Sequence, residues 1–162
     1  MAGTVAMGLK PRRVGGQTSV PLWLGPESAS HADLKGAVLI YTSGYLDAAA
    51  ADVVNGIAGI SQEAGHDDAS SGTSNLSFVP ALPGLRFEGT VEDETNNNHA
   101  LVQTQLGLSY ALQRDATNQR WYLDENDTTN VAARITGLVD VVTTVKGRVE
   151  FVFLADTTLF AV

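Results

Sequence analysis

Residues 148–154 read Arg-Val-Glu-Phe-Val-Phe-Leu, with Val149, Phe151 and Phe153 alternating with Glu150 and Val152. Alternation at a period of two sends successive side chains to opposite faces, the pattern of a strand with one face packed on a core. The stretch 131–142 (VAARITGLVDVV) offers a partner strand, and 143–147 (TTVKG) offers the polar residues and glycine that reverse the chain between them. This pair decides the fold class, because the same rhythm recurs upstream.

Moving outward, 106–112 (LGLSYAL) and 121–123 (WYL) read as a hairpin joined by 113–120 (QRDATNQR), and 85–91 (LRFEGTV) alternates apolar and polar residues. Short apolar runs at 76–79 (LSFV), 57–60 (IAGI) and 37–42 (AVLIYT) add further strands, the last closed by Ser43-Gly44. Polar segments separate them: 66–75 (HDDASSGTSN), 92–98 (EDETNNN) and 124–130 (DENDTTN) read as solvated loops. Residues 47–54, with four consecutive alanines, are expected to form one or two helical turns, and 101–106 a further turn. Strands recurring at short intervals with little helix between them predict a mainly β fold, a small antiparallel β-barrel or sandwich. It would occupy residues 36–162.

Residues 1–35 have a different character. Pro11, Pro21, Pro26, Gly15, Gly16 and Gly25 are spaced so that neither a long helix nor a central strand survives, which predicts an extended N-terminal arm. The arm holds four Lys/Arg against two acids, whereas residues 36–162 hold six against sixteen. A basic arm on an acidic body fits docking onto an acidic protein surface, and it argues against nucleic acid as the partner. Within the arm, Leu22, Trp23 and Leu24 form an apolar cluster too small to be a core of its own. Either it folds back on its own domain or it fills a groove on a neighbouring subunit.

Charged residues make up 17% of the chain, and there are 16 glycines and no cysteine. Low charge fits a surface partly covered by partners, and the lack of cysteine excludes disulfides, thiolate metal sites and thiol nucleophiles. No apolar run approaches the roughly 20 residues that span a bilayer. Positive charge follows the first apolar residues, the reverse of a secretory signal, so synthesis in the cytoplasm is expected.

No catalytic signature stands out: GxSxG, HExxH, GxGxxG and the phosphate-binding Gly-rich loop before Lys-Ser/Thr are all missing. The acidic loop at 124–130 fails as a calcium loop, since the sixth and twelfth places hold Thr129 and Ile135. His31, His66 and His99 fall in polar segments and are expected to be solvated, and Glu92, Asp93 and Glu94 are expected at a charged loop tip. A non-enzymatic protein without metal or cofactor is the expectation.

The order of a basic Gly/Pro-rich leader, 37–44 (AVLIYTSG), 57–63 (IAGISQE), Phe87-Glu88-Gly89, a tryptophan-bearing hairpin, 127–140 (DTTNVAARITGLVD) and 147–154 (GRVEFVFL) resembles the small capsid decoration, or cement, proteins of tailed bacteriophages. The resemblance covers most of residues 36–160. It implies a compact β protein that binds the outside of a mature capsid as a dimer or trimer, bracing the joints between major capsid subunits. On that reading the protein is made in the host cytoplasm and resides on the virion, without nucleic-acid or membrane contact. Leu22, Trp23 and Leu24 would anchor the arm, and Arg12 and Arg13 would pair with carboxylates on a neighbour. Two rivals accompany it: another virion or tail component, and a carbohydrate- or cell-surface-binding module, for which Tyr45, Tyr110, Trp121 and Tyr122 are the candidate aromatics.

Overall fold

The computed structural model describes residues 9–12, 19–93 and 99–160. Eleven strands are found among these: β1 (Lys10–Arg12), β2 (Trp23–Pro26), β3 (Val38–Thr42), β4 (Tyr45–Ala48), β5 (Ile57–Ser61), β6 (Asn75–Pro80), β7 (Arg86–Glu92), β8 (Ser109–Asp115), β9 (Arg120–Asp124), β10 (Ala133–Leu138) and β11 (Arg148–Phe153). Two single-turn 3-10 helices, Gln103–Gln105 and Ala155–Thr157, complete the list. The chain is mainly β, as its alternation predicts.

Strands β7, β11, β10, β8 and β9 follow one another round a closed five-stranded barrel. Four of the junctions are antiparallel, and a parallel junction between β7 and β9, Val91 against Leu123 and Glu92 against Asp124, shuts the ring. The pair read first from the sequence is one wall of it, with Ile135 opposite Phe151 and Ala133 opposite Phe153. Phe87, Phe151 and Phe153 meet inside with ring centroids 5.0–5.8 Å apart. Offset and edge-on ring pairs of this kind add to the gain from burial alone.

Strand β1 extends this sheet along the early part of β7, with Lys10 opposite Glu88 and Arg12 opposite Arg86. Just before it, buried Leu9 passes so close to Gly89 that a Cβ there would lie 2.6 Å from its Cδ2. A side chain at position 89 would have to displace Leu9.

The second sheet runs β2, β6, β5, β3, β4. It curls until Glu27, at the end of β2, bridges Leu46 of β4. All five residues of β5 are buried. Leu39, Leu46, Ile57, Ile60, Leu76 and Phe78 join the barrel residues in one continuous core.

Two expectations change. Residues 47–54 do not turn into helix: Tyr45–Ala48 is a strand, paired to β3 in a hairpin. Ser43 and Gly44 both have positive φ (53° and 88°), the turn geometry that matches strand twist and overrides the alanines' helical preference. Glu92 is no loop tip either; it ends β7 and is 2% exposed. Asp93 follows it, and Glu94 lies outside the described residues. The helical turn expected at 101–106 is the 3-10 turn Gln103–Gln105.

Candidate functional site

Strand β2, Trp23–Pro26, is suited to a sheet edge because Pro21 before it and Pro26 at its end have no N–H to donate to a ladder. Along β2, Trp23 lies opposite Phe78, Leu24 opposite Ser77 and Gly25 opposite Leu76. Gly25 faces inward, where a Cβ would come within 2.6 Å of Leu46 Cδ1. Trp23 shares that face and closes the open end of the sheet, its ring 6.1 Å from Phe78 and 5.0 Å from Phe160. It still keeps 40% of its surface exposed.

Leu22 and Leu24 point the other way and are 61% and 71% exposed. Each leucine would gain roughly 1.5–3 kcal/mol if fully covered. The main chain adds to this surface. Ser77 turns its own backbone toward β5, donating to Glu63 Oε1 (2.7 Å) and accepting from Gln62 N–H (2.8 Å). Its neighbours Leu76 and Phe78 therefore bond β2, which leaves the Leu24 N–H and C=O directed to the outer edge. Further along, β4 covers that edge, with Ser28 N–H donating to Leu46 C=O at 2.8 Å. The segment thus presents two leucines and an open strand edge side by side.

Arg12 sits elsewhere. It lies on the barrel's outer face, 3.8 Å from Glu88 Oε2 and 3.7 Å from Glu150 Oε2. Lys10 joins Glu88 (2.7 Å), Arg86 joins Glu150 (2.5 Å), and Arg148 joins both Glu88 (3.3 Å) and Asp140 (2.7 Å). The carboxylates facing Arg12 therefore belong to its own barrel. The Arg148 hydrogen bond holds the Asp140 carboxyl below its ordinary value. Arg13 lies outside the described residues.

A polar cleft of about 310 Å³ opens beside this face, lined by Glu92, Gln113, Arg114, Asp115, Arg120 and Tyr122. Its charges are paired: Arg120 bonds Glu92 through both terminal nitrogens and approaches Asp115 at 3.5 Å, Lys146 reaches Glu92 at 3.2 Å, and Arg114 pairs with Asp33. Burial raises the Glu92 carboxyl, but Arg120, Thr90 and Lys146 outweigh it and keep the group below its ordinary value. A carboxylate held ionised by an arginine is poorly placed to donate a proton in acid catalysis.

Of the three histidines, His66 is exposed in its loop as expected, whereas His31 is buried and His99 half-buried, contrary to expectation. His31 is buried between Glu27 and Asp33, His66 bonds Glu27, and His99 pairs with Glu125, which also receives Gln105 Nε2 at 2.9 Å. Burial raises the Glu125 carboxyl. Nothing in the sequence pointed to these pairs, because each joins a loop residue to one far away or to a neighbour with no periodic pattern. Among the described residues, no three His, Asp or Glu side chains converge as a metal would require.

The aromatics needed by a glycan platform are largely occupied: Trp121, Tyr110 and Tyr122 are buried at 0%, 4% and 6% exposure. Tyr45 is half-buried beside Gly72. No protein-family model, curated protein or solved structure matches the chain.

Proposed function

We propose that this chain is a structural virion protein that binds the outer surface of a phage capsid and stabilises contacts between major capsid subunits. The observation that carries the reading is the exposed Leu22–Leu24 surface on the outer edge of β2. A barrel without free edges resists opening and unwanted strand pairing. An open apolar strand edge on such a body gives a partner a place to dock. The capsid as that partner, and neighbouring copies of the chain as further contacts, come from the sequence resemblance.

The test is co-sedimentation with undecorated phage shells, comparing the full chain with a Leu22→Ser/Leu24→Ser double variant. Deleting residues 1–35 would be a poor control, because it strips β1 and β2 from their sheets. Saturable binding by the full chain, weakened at least tenfold in the variant, supports the reading; tenfold is about 1.4 kcal/mol, less than one leucine's burial. Absence of binding by the full chain overturns it. A second reading, a tail or other virion component that polymerises by itself, draws on the same open edge of β2. Rings or filaments of the purified protein alone, seen by electron microscopy, would favour that reading.

A further inference from the structure

Between β2 and β3 the chain passes through Glu27, His31 and Asp33, and the β5–β6 connection closes over them. Glu27 is 1% exposed and His31 2%. Glu27 Oε1 accepts the His66 backbone N–H at 2.9 Å and lies 3.0 Å from His31 Nδ1, while its Oε2 is 2.6 Å from His66 Nδ1. On the other side, His31 Nε2 is 3.6 Å from Asp33 Oδ2, and Asp33 Oδ1 pairs with Arg114 of β8. The fit is tight: a Cβ on Gly65 would fall 2.0 Å from the His31 carbonyl oxygen.

Two features set this cluster apart. Neither ring nitrogen of His31 has an aligned hydrogen bond, and the buried Asp68 Oδ2 has none either. The charges are also unbalanced. Glu27 from the end of β2, Asp33 from the same turn, and Glu63 and Asp68 from the β5–β6 connection face the two imidazoles, with Asp67 alongside. Arg114, from β8, supplies a fixed cation through its pair with Asp33. A neutral His66 would leave the buried Glu27 carboxylate without the imidazolium opposite its Oε2, and buried charge needs compensation.

We propose that Glu27, His31, Asp33 and His66 form a proton-operated clasp. With His66 protonated, the 65–68 segment is locked onto the end of β2, and the Asp33–Arg114 pair carries the lock across to the barrel. With the proton gone, the charge-assisted contact with Glu27 Oε2 is lost and the segment loosens. It is then held by its backbone bonds alone: His66 N–H to Glu27 Oε1, Gly65 N–H to the Asp33 carbonyl, Asp67 N–H to the His31 carbonyl and Ser30 N–H to the Asp68 carbonyl. The hydrogen bond that the His66 ring donates to Glu27 holds the imidazole above its ordinary value, against an opposing effect of desolvation. The stabilisation is therefore fully present below about 6.5, the value of a free imidazole, and is lost as pH rises through the raised folded-state value. The clasp stands apart from shell binding, so either can fail alone.

Hydrogen exchange of the full chain between pH 5.5 and 8.5, corrected for intrinsic rates, tests it together with an NMR titration of the His66 ring. In the wild type, protection at 27–33 and 65–68 should fall with rising pH, by up to about tenfold per pH unit for one linked proton. In His66→Gln that pH step should vanish while the barrel strands stay protected. A flat wild-type profile, an equal step in the variant, or a His66 midpoint at or below the ordinary value would each overturn the clasp. So would a step that appears only with added zinc and disappears with chelator, since the cluster would then be a metal site.

Discussion

Strands β1 and β2 come from the same Gly/Pro-rich leader, and both end as edge strands, yet they meet the body by opposite physics. β1 is held by charge: Lys10 and Arg12 settle on Glu88 and Glu150, and Leu9 seals the contact beside Gly89. β2 is held by apolar contact on one face only, with Trp23 and Gly25 inward and Leu22 and Leu24 outward. Two basic residues of the leader, Lys10 and Arg12, are thus engaged within the chain, while its apolar character is only half consumed. What remains for a partner is hydrophobic surface and an open strand edge.

Substitutions can break this contrast in graded steps. The largest effect belongs to the barrel itself. Phe151→Ala should cost about 3–5 kcal/mol, because the ring is fully buried between Phe87 and Phe153. Urea denaturation measures it, and a loss under about 1 kcal/mol would show that the barrel does not share the core assigned to it. Trp23→Ala should cost less, about 1–2 kcal/mol, since only part of the ring packs on Phe78 and Phe160. A loss as large as that of Phe151→Ala would mean that β2 is core and not a docking surface.

On the charged side, acid sharpens the comparison. Asp140 has a lowered folded-state value, so its contribution is present above the unfolded carboxylate value, near 4, and is lost as pH falls through the folded value. Asp140→Asn should flatten the fall in stability between about pH 4 and pH 2, leaving the behaviour of Trp23→Ala unchanged. Equal acid sensitivity in the variant would remove Asp140 from the network's account. The smallest effect on stability, within about 0.5 kcal/mol, is expected of the Leu22→Ser/Leu24→Ser variant, whose side chains touch mainly solvent. Thermal melting checks that its binding defect is not unfolding.

Legibility differed between the two regions for the same reason. The barrel strands were visible because Val149, Phe151 and Phe153 repeat at the spacing of a half-buried sheet, and a pattern of period two needs no knowledge of the partner. The leader has no period, so the docking of β1 and β2 could not be read from it. The ends of that docking lie far away, at Arg86–Glu88 and at Asn75–Phe78. Leu22, Trp23 and Leu24 were singled out from composition, but only their strand placement separates the two outward leucines from the tryptophan that faces the core. Arg12 was read as a partner for some neighbour's carboxylates, and the distances give it two on its own barrel. His31 was misjudged because burial of a polar residue leaves no local mark when its compensating charges come from other segments.

The amino-acid sequence alone determined that this chain builds strands, roughly where they lie, and that its leader differs in charge from its body, since each follows from neighbours within a few residues. Tertiary structure decided the closure of the barrel through β7 and β9, the inward and outward division of β2, and the meeting of Glu27, His31, Asp33, His66 and Arg114. Those depend on which distant segments come together, and the free energy that selects among such pairings is a property of the whole packed chain.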